Sequence, residues 1–172
     1  MPPPQPEGDP DVVIRPATEA DLGVINDIYN HYVLHSSATY QEEPEPIEGR
    51  RAWFERHGPS HPVTVADVGG RVVGWGSLSP FHARSAYRMT VENSVYLRPD
   101  HQRRGLGTLL LRDLVSRARS LGHHTILAII DAEQPASVAL HAKLGFVRAA
   151  FLKEVGYKFG RWRDVVYMQL VL

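Results

Sequence analysis

The stretch from Val91 to Thr108 constrains the fold of this chain more than any other part of the sequence. It begins as a strand in which apolar and polar residues alternate, and it breaks at Arg98 and Pro99. It then passes the basic segment 102–104 and enters Gly105-Leu106-Gly107 at the head of a leucine-rich helix. The first turn of such a helix has unpaired backbone N–H groups, and the helix dipole favours negative charge there. The stretch therefore predicts a cradle for the phosphate groups of a cofactor.

Glu92 is the carboxylate on the strand that precedes this predicted cradle. Strand alternation places it on the face opposite Val91 and Val95, in phase with Ser94 and Tyr96. Burial near the centre of a sheet would raise its pKa towards the working pH, as a general base requires. An ordinary outward-facing glutamate also explains the residue, because exposed carboxylates are common. The pattern alone leaves both interpretations open.

Bulk properties restrict the class of protein. The 172 residues suffice for one domain with a sizeable core. The 19 basic and 19 acidic side chains balance, which argues against nucleic-acid binding by overall basicity. No apolar run approaches the roughly 20 residues of a membrane span, and the N-terminal residues lack the pattern of a signal peptide. We expect a soluble, cytoplasmic protein with no nucleic-acid or membrane partner.

A metal site is not expected from the sequence. The chain has no cysteine, which removes disulfides, thiolate ligands and cysteine nucleophiles together. Of its nine histidines, His31 and His35 stand four residues apart on a predicted helix. No glutamate follows His31 to complete an H-E-x-x-H motif, and no third ligand is near in the sequence.

The order of predicted elements indicates the fold class. Residues 1–10 carry five prolines and are expected to form a disordered tail, whereas residues 11–172 are expected to form a single domain. Within that domain the order β-α-α-β-β-β-α-β-α-β-β predicts a mixed sheet flanked by helices, in the α/β or α+β class. The apolar run 125–130 predicts a strand buried on both faces. Residues 156–162 are expected to separate the last two strands.

Two motifs carry a resemblance to a known family. Residues 102–107, Gln-Arg-Arg-Gly-Leu-Gly, fit a Q/R-x-x-G-x-G/A pyrophosphate loop, and residues 143–146, Lys-Leu-Gly-Phe, fit the end of the helix that closes the family's core. With these motifs in this element order, the chain from about Val12 to Leu172 resembles the GNAT N-acetyltransferases. The resemblance implies the GNAT fold, a single mixed, mostly antiparallel sheet with helices on both faces.

The chain is similar, more narrowly, to the phosphinothricin N-acetyltransferase branch of that family. The resembling segments are His31-Tyr32 and residues 83–87, 90–96, 140–141, 156–158 and 160–165. That branch acetylates the amino group of small amino-acid-like compounds such as phosphinothricin and methionine sulfoximine or sulfone. The resemblance thus implies an acyltransferase with acetyl-CoA as the acyl donor and no metal. The branch and the aromatic-rich C-terminal hairpin together suggest a homodimer.

The resemblance also implies which residues bind acetyl-CoA. The backbone amides of the glycine loop should hold the pyrophosphate, and the strand before it should pair with the pantetheine amides. Many relatives have an asparagine on the loop after the next strand, where this chain has Gln134 followed by Ser137. The predicted cofactor-binding residues are Val95, Tyr96, Leu97, Arg103, Arg104, Gly105, Leu106, Gly107, Thr108, Gln134 and Ser137.

The same resemblance implies the catalytic pair. It places the family's catalytic carboxylate at Glu92, which would take the proton of the substrate ammonium directly or through water. It places His141 where most family members have a tyrosine that protonates the departing thiolate. Because imidazole titrates near neutrality, His141 could act as an acid, as a second base or as a structural residue.

The acceptor would be held by Tyr40, Arg84 and Tyr87, together with Glu92. A guanidinium at Arg84 suits a carboxylate or a phosphinate. His82 and Phe159 depart from the residues common in the branch, so the preferred acceptor is left open. The leading hypothesis is direct transfer of acetyl from acetyl-CoA to such an amine. The alternatives are the same chemistry on a polyamine or a protein N-terminus, and a non-catalytic acyl-CoA sensor.

Overall fold

The computed structural model describes residues 11–172, and the predicted tail at 1–10 lies outside the described residues. Seven strands and four α-helices follow one another in the predicted order. In chain order they are β1 (Val12–Pro16), α1 (Leu22–His35), α2 (Ile47–Glu55), β2 (Val63–Val68), β3 (Arg71–Pro80), β4 (Thr90–Leu97), α3 (Leu106–Ser120), β5 (Thr125–Asp131), α4 (Pro135–Lys143), β6 (Val147–Lys158) and β7 (Arg161–Val171). Short 3₁₀ turns lie at Glu19–Asp21, Ser85–Tyr87 and Pro99–His101.

All seven strands form one sheet in the order β1-β2-β3-β4-β5-β7-β6. Five of its six strand pairs are antiparallel, and β4 pairs with β5 in parallel. The β2–β3 hairpin turns at Gly69 and Gly70, which adopt φ of 58° and 84°, the left-handed conformation that a two-residue turn needs. The predicted mixed, mostly antiparallel sheet is therefore confirmed.

The helices cover the two faces of the sheet unequally. On the α3 face, the apolar stripe of α3 packs with α4 against side chains of β3, β4, β5 and β7, including Leu78, Val91 and Ile126. On the α1–α2 face, α1 and α2 pack against β2 and β3 around Trp75. Strand alternation divides β4 accordingly, because buried Val91 belongs to the α3 face and Tyr96 packs with the α1–α2 core.

Glycines in β3 let α3 and β4 approach that strand closely. A Cβ built on Gly74 would lie 2.9 Å from the Tyr96 carbonyl oxygen and 2.4 Å from Leu97 Cδ2. A Cβ on Gly76 would lie 3.0 Å from Leu114 Cδ1, a side chain of the α3 stripe. The close approach fixes α3, and with it the loop that precedes α3, against the centre of the sheet.

The parallel pair β4–β5 is short and then opens. Its register runs only from Thr90 opposite Thr125 to Glu92 opposite Leu127. From Asn93 to Leu97, β4 stays paired with β3 but has no partner on its β5 side. The two strands therefore diverge at the centre of the sheet, directly after the predicted catalytic carboxylate.

The prediction that β5 is buried on both faces is wrong. Ile126, Ala128 and Ile130 are buried on the α3 face, but Ile129 on the other face is 41% exposed. The physical reason is that α1 contacts β3 and β4, which leaves this part of β5 uncovered. The pattern of apolar residues in the sequence does not indicate which face of a strand a helix will leave uncovered.

The prediction that residues 156–162 separate the last two strands is also wrong. Strands β6 and β7 pair through Gly156 opposite Arg163 to Lys158 opposite Arg161, and only Phe159 and Gly160 form the turn. The irregularity lies earlier, where the register shifts between Leu152 and Gly156. Gly156 is a strand glycine that makes room for a ring, because a Cβ there would lie 2.2 Å from Tyr40 Cε2.

We expect Gly74→Ala to lower the free energy of unfolding by about 1–3 kcal/mol, since a backbone oxygen cannot move aside for the added methyl group. Urea unfolding followed by circular dichroism measures the loss. The matched control is Gly23→Ala in α1, where a Cβ meets nothing within 4 Å and removal of a helical glycine should be neutral or stabilising. Equal stability of the two variants would contradict this account of the β3 packing.

Candidate active site

The divergence of β4 and β5 opens a cleft of about 380 Å³. One wall is the free edge of β4, another is the C-terminal half of β5, and the ends are closed by the glycine loop and α4. The predicted cofactor residues that line the cleft are Val95, Tyr96, Leu97, Arg103, Gly105, Gly107, Thr108, Gln134 and Ser137. Arg104 and Leu106 do not line it, and the Leu106 side chain is buried in the core beneath α3.

The glycine loop presents backbone to the cleft. Gly105 caps α3 with φ of 81°, and Arg103 two residues earlier has φ of 60°. Left-handed residues of this kind turn successive N–H groups towards one point, which is the geometry of an anion-binding concavity. The first-turn amides of Leu106, Gly107 and Thr108 have no carbonyl partner within α3. Together with the helix dipole they form a site for a phosphate group.

A hydroxyl that the sequence did not single out ties α1 to this loop. The Tyr32 hydroxyl donates to the Leu97 carbonyl oxygen at 2.5 Å, and Gln102 Nε2 donates to that hydroxyl at 2.7 Å. Tyr32 and Gln102 both line the cleft. Their contact joins residues 70 positions apart, so no local pattern could have shown it; the only signals were that Gln102 belongs to the loop motif and Tyr32 to a segment that resembles the branch.

Glu92 lies on the α1–α2 face of β4 at the last paired position before the strands diverge. Its side chain is half-buried and has no hydrogen-bond or ion-pair partner among residues 11–172. Burial raises the pKa of its carboxyl group above the ordinary value, because the charged form loses hydration. A carboxylate with a raised pKa and a free lone pair can accept a proton from a substrate.

His141 lies on α4, across the cleft from the glycine loop, and is buried. Its Nδ1–H donates to the Ser137 carbonyl oxygen at 2.7 Å, and Nε2 lies 3.0 Å from Asn93 Oδ1. Burial lowers the pKa of the imidazole, and the Ser137 hydrogen bond opposes that effect in part. The Ser137 carbonyl fixes a proton on Nδ1, whereas the Asn93 oxygen at Nε2 would be satisfied only by a protonated ring, which burial disfavours.

Glu92 and His141 lie on opposite faces of β4. Asn93, the residue after Glu92, contacts His141, and alternation turns Glu92 to the opposite face. Asn93 also donates to the Leu127 carbonyl oxygen through Nδ2 at 3.3 Å, so it bridges β4 to β5 where their backbone pairing has just ended. Sequence reasoning gave Asn93 no role, since only the fold places it against α4.

The four predicted acceptor-binding residues, Glu92 among them, lie outside the cleft lining. The Tyr40 hydroxyl donates to Asp131 Oδ2 at 2.8 Å, and burial together with that carboxylate raises the pKa of the phenol. Arg84 and Tyr87 are exposed around the turn at Ser85–Tyr87, and the Tyr87 ring stacks at 5.0 Å on His82. The role of Tyr40, Arg84 and Tyr87 in holding the acceptor therefore stays a prediction.

Gln134 and Ser137 stand at the start of α4. Gln134 Nε2 donates to Ser37 Oγ at 3.1 Å, which anchors α4 to the loop after α1. Ser137 holds His141 through its backbone carbonyl. Both residues line the cleft, so each is close to the predicted cofactor as well as to a protein partner.

Within residues 11–172, no three side chains from among His, Asp and Glu are grouped in a way that could hold a metal ion. Of the helices that the structure describes, none has the length and apolar character needed to cross a membrane.

Comparison with known proteins identifies the family. The model of the acetyltransferase (GNAT) family matches residues 25–146. An L-amino acid N-acyltransferase of Escherichia coli is 44% identical over 160 residues, 92% of this chain and 93% of its own. An L-methionine sulfoximine/L-methionine sulfone acetyltransferase of Salmonella typhimurium is 42% identical over 94% of this chain and 95% of its own.

A solved structure extends the likeness to three dimensions. A phosphinothricin acetyltransferase from Sinorhizobium meliloti, determined in complex with acetyl-CoA, matches with a TM-score of 0.91 and 39% identity over 94% of this chain and 89% of its own. These matches confirm the resemblance carried by the glycine loop and the Leu-Gly-Phe segment. The chain belongs to the GNAT family of acetyltransferases.

Proposed function

We propose that this protein transfers the acetyl group of acetyl-CoA to the amino group of a small amino-acid-like compound. The observation that carries the proposal is the cleft at the divergence of β4 and β5, which has the glycine loop at one end and His141 in its lining, with Glu92 at the last paired position before the strands part. The relatives named above act on L-amino acids and on methionine sulfoximine or sulfone, which supports an acceptor of that class.

Acetyl-CoA would bind along the free edge of β4. The backbone of Val95, Tyr96 and Leu97 lacks a β5 partner, so the pantetheine amides can pair with it as an added strand would. The Leu97 carbonyl oxygen already accepts from Tyr32, which leaves the other groups of this edge for the ligand. The amides from Arg103 to Thr108 would hold the pyrophosphate, and Arg103 and Arg104 would add positive charge.

The catalytic roles follow from the two faces of β4. Glu92 would remove the proton of the ammonium on the α1–α2 face, and the free amine would attack the thioester carbon. The oxyanion would be stabilised by backbone N–H groups of the cleft. As the C–S bond breaks, His141 would protonate the thiolate from the α3 face. A base on the amine side and an acid on the thiolate side suit direct transfer without an acyl-enzyme.

The acceptor loop would complete the site. Arg84 and Tyr87 are exposed, and the Arg84 guanidinium has no hydrogen-bond partner among the described residues, so both are free to contact a polar group of the acceptor. Tyr40 would line the acceptor side through its ring, since its hydroxyl already donates to Asp131.

The acting form would be a cytoplasmic homodimer joined through β6. Among the described strands this edge strand has no partner beyond β7, and most of its side chains are exposed and apolar, although Lys158 is buried. The exposed large apolar residues of the β6–β7 hairpin are Val147, Phe151, Leu152, Val155, Tyr157, Phe159, Trp162 and Val171. An exposed apolar patch on an unpaired strand suits a second copy of the same strand.

Glu92→Gln should lower kcat by at least about 100-fold, because an amide cannot accept the ammonium proton, while the Kd of acetyl-CoA stays unchanged. In the parent enzyme, kcat/KM should fall as the pH falls through the raised pKa of Glu92. Steady-state kinetics across pH measure both effects, and retention of turnover by the variant would exclude Glu92 as the base.

The same substitution should not lower stability. A folded-state pKa above the unfolded value means that ionising Glu92 costs stability as the pH rises through the folded pKa. Glu92→Gln should therefore raise the thermal midpoint at neutral pH, and the difference should vanish in acid, where the carboxyl group is protonated in both states. A lowered midpoint at neutral pH would indicate that Glu92 is a structural residue.

Gly105→Val should abolish measurable binding of acetyl-CoA by isothermal titration. The left-handed backbone at φ 81° strains a β-branched residue, and the loop amides would turn away from the phosphate site. Gly122→Val is the matched control, because Gly122 has φ of 78° at the other end of α3 and equally open space for a Cβ. Similar losses of affinity in both variants would refute the cradle.

Phe151→Glu should convert a dimer to a monomer in sedimentation-velocity experiments, because the charge falls in the middle of the exposed β6 patch. Val13→Glu is the control, since Val13 is similarly exposed on β1 at the opposite edge of the sheet. A parent protein that sediments as a monomer, or dissociation in the Val13 variant alone, would contradict a β6 interface.

A further inference from the structure

A second cavity of about 190 Å³ lies between α2 and the sheet, on the face of β4 that carries Glu92. Its floor is formed by Trp75, Ser77 and Ser79 of β3 and by Ser94 and Tyr96 of β4. Its wall and rim are formed by Tyr29, Gln41, Glu45, Gly49, Arg50, Trp53 and Arg56. The roles proposed above for acetyl transfer do not use this cavity.

Arg50 is the unusual member of this lining. Its side chain is only 3% exposed, and its guanidinium lies 4.5 Å from the ring centres of both Tyr29 and Trp53. Nε donates to Asn26 Oδ1 at 3.2 Å, but the two terminal nitrogens have no acceptor among residues 11–172. Arg163, which is about equally buried, donates to Glu133 Oε2 at 2.9 Å. Unlike Arg163, Arg50 has no ion-paired carboxylate among the described residues, although the charge of Glu45 in the same lining opposes the fall in its pKa.

The missing partner has a physical cost. A buried cation loses hydration, and aromatic rings replace only part of that loss. Burial accordingly lowers the pKa of the Arg50 guanidinium, although the group stays charged at any physiological pH. An anion that entered the cavity could accept two parallel N–H bonds from the terminal nitrogens.

A further free donor faces the same cavity. The buried Ser77 hydroxyl lines it and has no hydrogen-bond partner among the described residues. Glu45 is the one carboxylate in the lining, and its Oε2 accepts from Gln41 Nε2 at 3.1 Å. A cavity with an excess of donors and one carboxylate at its rim suits a zwitterion better than a simple anion.

The cavity also lies beside the proposed base. Ser79 stands directly opposite Glu92 in the β3–β4 pairing, and Ser94 follows Glu92 on the same face, about 7 Å along the strand. An α-amino acid carries its ammonium and carboxylate on one carbon, so a carboxylate in the cavity leaves the ammonium close to this face of β4. A single small amino acid is therefore long enough to reach from the cavity to Glu92.

We propose that Arg50 binds the carboxylate of the acceptor amino acid, with Ser77 as a second donor, and so selects α-amino acids over other amines. This inference rests on the proposed acetyl transfer and defines the acceptor end of that site. It assigns to Arg50 the anion contact that the exposed Arg84 would otherwise supply alone.

Equilibrium binding tests the assignment without any acetyl transfer. L-methionine sulfone and its carboxamide, which lacks the negative charge, are titrated into the full-length protein while tryptophan fluorescence reports on Trp53 and Trp75 in the cavity lining. The parent should bind the acid at least about tenfold more tightly than the amide. Arg50→Met should remove that preference, and Arg50→Lys should keep part of it because the charge remains.

Two further variants keep the result interpretable. Arg51→Met, on the exposed side of α2, should leave the preference unchanged. Ser77→Ala, a small change that spares the aromatic stack, should lower the affinity for the acid alone by about threefold to tenfold. If Arg50→Met fails to fold, the Ser77 and lysine variants decide. Equal binding of acid and amide by the parent, or equal loss of both in the variants, would overturn the assignment.

Turnover measured on the same proteins separates this inference from the proposed function. Carboxylate-dependent binding without acetylation of any amine would refute acetyl transfer and leave Arg50 as a carboxylate site. Acetylation of the acid and the amide with the same KM, unchanged in Arg50→Met, would refute the role of Arg50 and leave acetyl transfer in place.

Discussion

The parting of β4 from β5 after Glu92 is the feature on which the rest of the site depends. Three residue pairs hold the two strands together, and beyond them β4 has backbone groups with no partner on one side among residues 11–172. Unpaired strand edges are normally covered or shortened, because they invite pairing with other chains. Here the edge faces a cleft that ends at a helix N-terminus, so a ligand with amides and phosphates can satisfy both.

The alternation of side chains along β4 places the titratable groups of the site on two opposite faces of the sheet. Glu92 and Ser94 point towards α1 and α2, whereas Asn93 points towards α4 and contacts His141. One strand can thus present a base to an incoming amine and support an acid near a departing thiolate. The two groups need not touch, and the structure keeps them apart. The serine-lined cavity with Arg50 lies on the same face of β4 as Glu92.

Much of the fold could be predicted from the sequence because its signals are local. Alternation marked β4, the leucine stripe marked α3, and the glycine loop marked the helix start between them. The C-terminal hairpin was misjudged because Gly156 looks like a strand breaker, yet it is a space for the Tyr40 ring inside β6. The exposed face of β5 was missed because no pattern in β5 records how far α1 and α2 extend.

Site residues that belong to a local sequence motif could be predicted, whereas residues that join the site through long-range contacts could not. Tyr32 acts on Leu97 across 65 residues, and Arg50 meets Asn26 across 24, so neither role can be seen in a local window. One signal for Arg50 was available: it lies three and four residues before Trp53 and Phe54, on the apolar stripe of α2. A charged residue on such a stripe is expected to be buried, and burial of a charge requires a polar or charged partner from the protein or from a ligand.

Amide hydrogen exchange in the presence of acetyl-CoA tests the central claim most directly. The unpaired edge at residues 93–97 and the first turn of α3 at residues 106–108 should both become protected, because the ligand supplies acceptors to two sets of N–H groups that otherwise face the cleft. The exchange rates of the β6 amides should not change when acetyl-CoA is added. The account would be contradicted if saturating acetyl-CoA protected neither of these segments, or protected only amides remote from the cleft.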